Sequence, residues 1–509
     1  MIAAALGSLF AQASDWQAPD IDWHAIAPEL VLIVGINVVL GVDLWLDASK
    51  KWMMALITGF VLLGAFVPIV TLAAIGDDVR SMFDGRYVVD EYSLVLKGLF
   101  LLVGYVIVLL SQTELEEGGY YQGEYYLLLL ASVLGMVMMA SSRDLVSVFV
   151  ALELLSIPAY MMAAWRKRDR KSNEAGVKYY LLGVFASGVL LYGMSYLYGT
   201  TGTTKLTEIA AALDGDNLLS MQVIAVVFVI VGFGFKVSAV PFHTWAPDTY
   251  QGAPTPVTAF LSVASKAAGF VALLSMLFVG LWKADDVYEP FIWVLAALTM
   301  TIGNVLALRQ TNIVRMLAYS SVSQGGFILM PLAVMATGDA AESALKSVVI
   351  YLLIYAFSNL GAFAVVIAVS RKTHSGEISS FGGLMTYAPG MGALMTIFLA
   401  SLTGVPPLGI WIAKLLSFKT LLDAGGTAAS TLAVIAAVNT VIAAAYYVRV
   451  MREMWMKPVP DGDTTPIVTP QPVSLALAIC AAGTIVLGIA PGLVLSFADL
   501  HDLTSAFGG

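Results

Sequence analysis

Apolar stretches of roughly 20 residues recur about fourteen times between residues 28 and 496, with short polar breaks between them. A helix of that length crosses the hydrocarbon core of a bilayer. Inside that core every backbone N–H and C=O must be paired within the segment or across a closed barrel. This feature alone restricts the chain to an all-α bundle of membrane-spanning helices. Composition agrees: 59% of the 509 residues are hydrophobic and 12% are charged, about half the charged share of a soluble domain. One cysteine excludes an internal disulfide or a thiolate cluster. Histidines at 24, 243, 374 and 501 are too scattered for a metal or haem site. A net charge of −9 does not suit nucleic-acid binding.

The stretches divide the chain as follows. Residues 1–27 form an N-terminal extension, whose MIAAALGSLFAQASDWQ has the AQA end of a signal peptide but no basic n-region. Residues 28–111 hold the first three spans, 124–281 spans four to eight, 288–449 spans nine to thirteen, and 472–496 the last. Basic residues set the orientation. With the N-terminus outside, inner loops carry fifteen of the 26 Lys and Arg, including the RKRDRK run at 166–171; outer loops carry six. Both termini are therefore expected outside. The acidic run TELEEGGYYQGE at 113–124 falls on the inner side against this trend and is expected to be a loop.

Five lysines fall inside spans: Lys97, Lys236, Lys266, Lys414 and Lys419. A lysine in a bilayer costs about 2.5–3.5 kcal/mol on the lenient insertion scale, so each needs a use or a partner. Lys236 precedes Pro241 in GFGFKVSAVPFHTWAPDTYQGAPTP, and Lys414 follows GVPP at 404–407. A proline breaks the helical ladder ahead of it. Spans seven and twelve are thus broken, with the lysine before one break and after the other. Five-helix units over spans 4–8 and 9–13 would carry them in opposite orientations, the pattern of an inverted repeat.

Glu153 is the one acid in span five, and pairing with Lys236 or Lys266 would keep it charged. An array of Glu and Lys at mid-depth can hand a proton from site to site; a single helix-locking salt bridge is the plainer alternative. Ser320, Ser321, Ser323 and Gln324, and Thr244, Asp248, Thr249 and Tyr250, are placed to hold water. Arg143 and Asp144 read as an end-cap, and Trp245, Tyr179 and Tyr180 as interface anchors. No Gly-rich nucleotide loop follows a strand signal, so the chemistry is transport.

The stretches SSRDLVSVFVALELLSIPAY, NEAGVKYYLLGVFASGVLLYG, GFGFKVSAVPFHTWAPDTYQGAPTPVTAFLSVASKAAGF, NVLALRQTNIVRMLAYSSVSQGGF and LTGVPPLGIWIAKLLSF resemble the antiporter-like membrane subunits of respiratory complex I, the bacterial NADH–quinone oxidoreductase. EAGVKYYLLG and SVASKAAGF resemble the N type in particular. The resemblance covers about 28 to 496 and implies fourteen helices, two inverted five-helix repeats and broken helices 7 and 12. It assigns the proton path to Glu153, Lys236, Lys266 and Lys414. Where relatives often carry a histidine after AYSS, this chain has Gln324, which receives no proton-carrying role. No long lateral helix follows residue 496, unlike the L type, and the N-terminal extension is longer than the family's.

The resemblance further implies a translocase subunit with no redox centre and no cofactor or metal of its own. NADH, FMN, iron–sulfur clusters and quinone would be handled by other subunits. Its partners would be other complex I subunits, K-like and M-like membrane neighbours, and lipid. Its place would be the bacterial inner membrane, with both termini periplasmic. Three other readings share some of these residues: a subunit of a multi-subunit sodium/proton antiporter, a hydrogenase-linked pump subunit, and a structural subunit that does not pump.

Overall fold

A computed structural model describes residues 20–76, 79–120, 122–336, 340–460 and 462–495. Among these, twelve helices are long and apolar enough to cross a membrane, and two shorter apolar helices end at breaks. In chain order the helices are α1 (Ala27–Trp45), α2 (Met53–Ile75), α3 (Glu91–Gly118), α4 (Gln122–Ser141), α5 (Leu145–Ala163) and α6 (Arg170–Thr201). The first short helix is α7 (Ser220–Lys236), which continues after its break as Trp245–Gly252. Then come α8 (Thr255–Gly280), α9 (Asp285–Leu308), α10 (Ile313–Val334) and α11 (Ala340–Thr373). The second short helix is α12 (Pro389–Thr403), continued by Gly409–Ala424, and the chain closes with α13 (Gly426–Met456) and α14 (Gln471–Ile489).

Because each helix satisfies its own backbone, side-chain packing decides which helices lie inside. α8 and α10 are almost wholly enclosed, whereas α1, α6, α13 and α14 keep most of their apolar surface outward. Close approach is bought with small residues. A Cβ on Gly303 of α9 would lie 2.8 Å from the Ser323 backbone nitrogen of α10, and one on Gly135 of α4 would lie 2.6 Å from the Leu155 nitrogen of α5. α8 is not uniform: Leu261–Ser265 is a π-helical turn, and Lys266 follows it directly. Such turns widen a helix locally and re-aim the next side chain.

The polar ends correct several expectations. The acidic run is no loop over its first half, since α3 extends to Gly118. Its carboxylates neutralise basic residues of the same face: Glu114 pairs with Arg166, and Glu117 with Arg371. That pairing explains why acid sits on the basic side. α14 ends at Ile489, before 496, because Pro491 cannot continue it. A short antiparallel hairpin, Arg80–Met82 with Tyr87–Val89, lies between α2 and α3 and departs from an all-α reading. Its loop residue Arg86 pairs with Asp144 at 3.3 Å, and its first strand ties to the N-terminal segment through Arg80–Asp22 at 2.6 Å. The signal-peptide-like residues 1–19 and the tail 496–509 lie outside the described residues.

Candidate functional site

The two breaks place the mid-span lysines. Pro241 has no N–H, and its ring would meet the carbonyl four residues back, so α7 stops a turn early, with Lys236 as its last residue. Ser238 then turns left-handed (φ 60°), and Ala239 N–H returns to the Gly234 carbonyl at 2.7 Å. The loosened turn is pinned from outside. Val240 N–H donates to Thr299 Oγ1 of α9 at 2.9 Å, and Trp245 Nε1 donates to the Phe235 carbonyl at 3.0 Å. Trp245 is therefore a buried brace, 2% exposed and stacked on Tyr179 at 4.4 Å, and not an interface anchor. At the second break α12 ends in Gly404 (φ 94°), and the helix resumes at Gly409 five residues before Lys414.

The three lysines Lys236, Lys266 and Lys414 are buried and meet only neutral partners. Lys236 Nζ donates to Ser156 Oγ of α5 at 2.7 Å and lies 5.9 Å from the Tyr179 ring. Lys266 Nζ donates to both the carbonyl and the Oγ of Ser321 on α10, each at 2.6 Å. Lys414 Nζ donates to the Thr403 carbonyl at 3.0 Å and sits 4.4 Å from the Phe327 ring. Among the described residues none has an ion-pair partner.

Glu153 does not pair with a lysine directly, contrary to the sequence expectation. It and Ser156 share a face of α5, three residues apart, and Ser156 is the one that reaches Lys236. The Glu153 carboxylate, half-buried, accepts from Ser187 Oγ of α6 at 2.6 Å. Ser156 and Ser187 were missed in the sequence; the i, i+3 spacing to Glu153 was the only signal for the first. The hydroxyls of Tyr179, Ser238, Ser265 and Ser323 are buried around this line without a protein partner. Buried groups of that kind normally bind ordered water.

The other in-span lysines fall elsewhere. Lys97 is fully buried against Glu29 of α1 at 2.8 Å, and Lys419 is an exposed partner of Asp423. Asp144 caps α5, accepting from Val146 N–H at 2.9 Å, while Arg143 pairs with Asp90 at 2.9 Å. Asp248 does not face water alone. It takes Lys178 of α6 at 2.8 Å and Arg315 of α10 at 2.7 Å, fixing the helix after the first break to both.

Residues 142–442 match the family described as NADH:quinone oxidoreductase/Mrp antiporter, TM. The chain is 39% identical over 482 residues to NADH-quinone oxidoreductase subunit N of Trichlorobacter lovleyi, covering 94% of this chain and 96% of that one. Its fold is similar to a chain of respiratory complex I from Thermus thermophilus, with a TM-score of 0.76 and 30% identity over 92% of this chain and 98% of that one. A chain of the Mrp complex from Dietzia shares the fold alone, with a TM-score of 0.82 at 20% identity over 96% of this chain and 99% of that one. The lysines set beside two helix breaks are thus carried on a shared scaffold, and the chain belongs to the NADH:quinone oxidoreductase/Mrp antiporter transmembrane family, among relatives named NADH-quinone oxidoreductase subunit N.

Proposed function

We propose that this chain is the N-type proton-translocating subunit of an NADH–quinone oxidoreductase, passing protons along Glu153, Lys236, Lys266 and Lys414. NADH oxidation and quinone reduction occur in other subunits, and K-like and M-like subunits flank it in a bacterial inner membrane. Its α4–α8 and α9–α13 units act as two inverted repeats within fourteen crossings, with both termini periplasmic. One observation carries the reading: three buried ammonium groups, each seated on neutral oxygens beside a helix break or a π turn. An ammonium held without a counter-charge in a desolvated site is costly, so its retention at three such places points to a use. Glu153 lies on the face of α5 that carries Ser156, the partner of Lys236, and its Ser187 hydrogen bond keeps it in place. In this reading, small movements at the breaks change these contacts and so load or release the proton.

Lys236→Arg is the direct test. Arginine keeps the charge but does not release a proton at accessible pH. NADH-driven proton uptake is measured in membrane vesicles and normalised to assembled complex. Loss of uptake with the complex intact is expected. Near-normal uptake would make Lys236 a structural cation and end the relay reading.

A further inference from the structure

Gln324 is a buried amide on α10, 1% exposed, and its hydrogen bonds reach three other helices. Its Nε2 donates to the Leu402 carbonyl in the last turn of α12 at 2.9 Å and, at the long limit, to Tyr447 Oη of α13 at 3.4 Å. Its Oε1 accepts from Tyr351 Oη of α11 at 2.5 Å. Tyr447 Oη is in turn 2.5 Å from Ser320 Oγ, one turn back on α10. The neighbours of these atoms are the lysine seats. Ser320 adjoins Ser321, which holds Lys266, and Leu402 adjoins Thr403, whose carbonyl holds Lys414.

Resting on the proton-path reading above, we propose that Gln324 is the positioning residue for Lys414. Held by Tyr351, it fixes the end of α12 against α10, so that the Thr403 carbonyl and the Ser321 seat keep one register. The physical requirement is specific. α12 ends at Gly404 in a left-handed turn whose N–H closes onto the Ala400 and Ser401 carbonyls, which leaves the last two carbonyls, Leu402 and Thr403, to find donors elsewhere. The Gln324 amide satisfies the Leu402 carbonyl, which leaves the next carbonyl, that of Thr403, aimed at the ammonium. The Leu402 carbonyl can only accept, so the NH2 end of the amide faces α12, and the Tyr351 hydroxyl holds it there by donating to Oε1. Without that hold the carboxamide is freer to turn its oxygen toward the Leu402 carbonyl, which would repel the α12 end and shift the Lys414 seat.

The experiment uses the assembled complex in vesicles and reads protons taken up per NADH oxidised. Gln324→Leu removes every polar contact at similar size. It should lower the ratio, because the Thr403 carbonyl loses its register on Lys414, with normal amounts of complex. Tyr351→Phe, which deletes a single hydroxyl, should move the ratio the same way by less. Gln324→His keeps one N–H for the Leu402 carbonyl and should recover most of it. A purely packing role would not be rescued by a differently shaped donor. If Gln324→Leu fails to assemble, Tyr351→Phe decides. A wild-type ratio in both Gln324→Leu and Tyr351→Phe overturns the assignment, as does an assembled Gln324→His as defective as leucine. Lys414→Met is measured alongside. If it also pumps normally, the proton-path reading itself has failed; if it alone is defective, only the role of Gln324 falls.

Discussion

Two kinds of buried lysine share this bundle, and their chemistry predicts opposite responses to removal. Lys97 is fully enclosed with a counter-charge: Glu29 lies at 2.8 Å, and the Tyr87 hydroxyl donates to the same carboxylate oxygen. Lys97→Met leaves that carboxylate buried and unpaired, a cost of about 3–5 kcal/mol, whereas removing both charges together is close to neutral. Thermal denaturation of the complex should therefore show Lys97→Met well below Glu29→Gln/Lys97→Met. Equal midpoints would mean that the pair does not hold α1 on α3. Lys236 has no counter-charge in contact, so Lys236→Met removes a costly group and should leave stability unchanged or raised while abolishing transport. Sequence alone marked both lysines as anomalies in apolar segments. It could not separate them, because Glu29 sits 68 residues from Lys97, at a helix start that reads as a flank. Tyr351 and Tyr447 were invisible for a related reason: a tyrosine in a span reads as an anchor until helix rotation is known.

At the scale of elements, the breaks hold their shape because the helices around them cannot slide apart. Val240 is tied to Thr299 of α9, and α9 lies directly on α10 through Gly303 and Gly326. A methyl on Gly303 would come within 2.8 Å of the Ser323 backbone nitrogen, so one helix must move. Gly303→Ala is expected to cost about 1–3 kcal/mol as an overpacking change and to lower pumping by dragging Thr299 from the break. Gly188→Ala on α6, where a Cβ meets nothing within 4 Å, is the control and should be neutral or gain up to about 1 kcal/mol. If both variants behave alike, the close α9–α10 contact does not transmit to the break. The positions of the helices and of both breaks were legible because apolar length and proline chemistry are local. The acidic run was misread as a loop because its helical state depends on Arg166 and Arg371, which arrive from distant parts of the chain. The hairpin was missed because three-residue strands carry too short an alternation to stand out.

The whole molecule has two unlike polar faces, and their difference makes its orientation testable. One face gathers the RKRDRK loop, the Arg371 and Lys372 end of α11, and the triad Lys178–Asp248–Arg315. The opposite face carries the hairpin, with Asp84 exposed beside Lys205. Acidic residues count little in orienting a membrane chain, so pairing Glu114 and Glu117 with arginines does not cancel the bias of the first face. That face is expected in the cytoplasm. The test needs a background without native thiols: Cys480 is the one cysteine and is fully buried, so its replacement by alanine or serine is the first step. Arg168→Cys, at an exposed position in the basic loop, should react with a membrane-impermeant maleimide in inside-out vesicles and stay unlabelled in right-side-out ones. Asp84→Cys should give the reverse pattern. Labelling of position 168 only from the periplasmic side would invert the bundle. The lysine chain would then load from the other side, and the expected direction of proton uptake would have to be reversed with it.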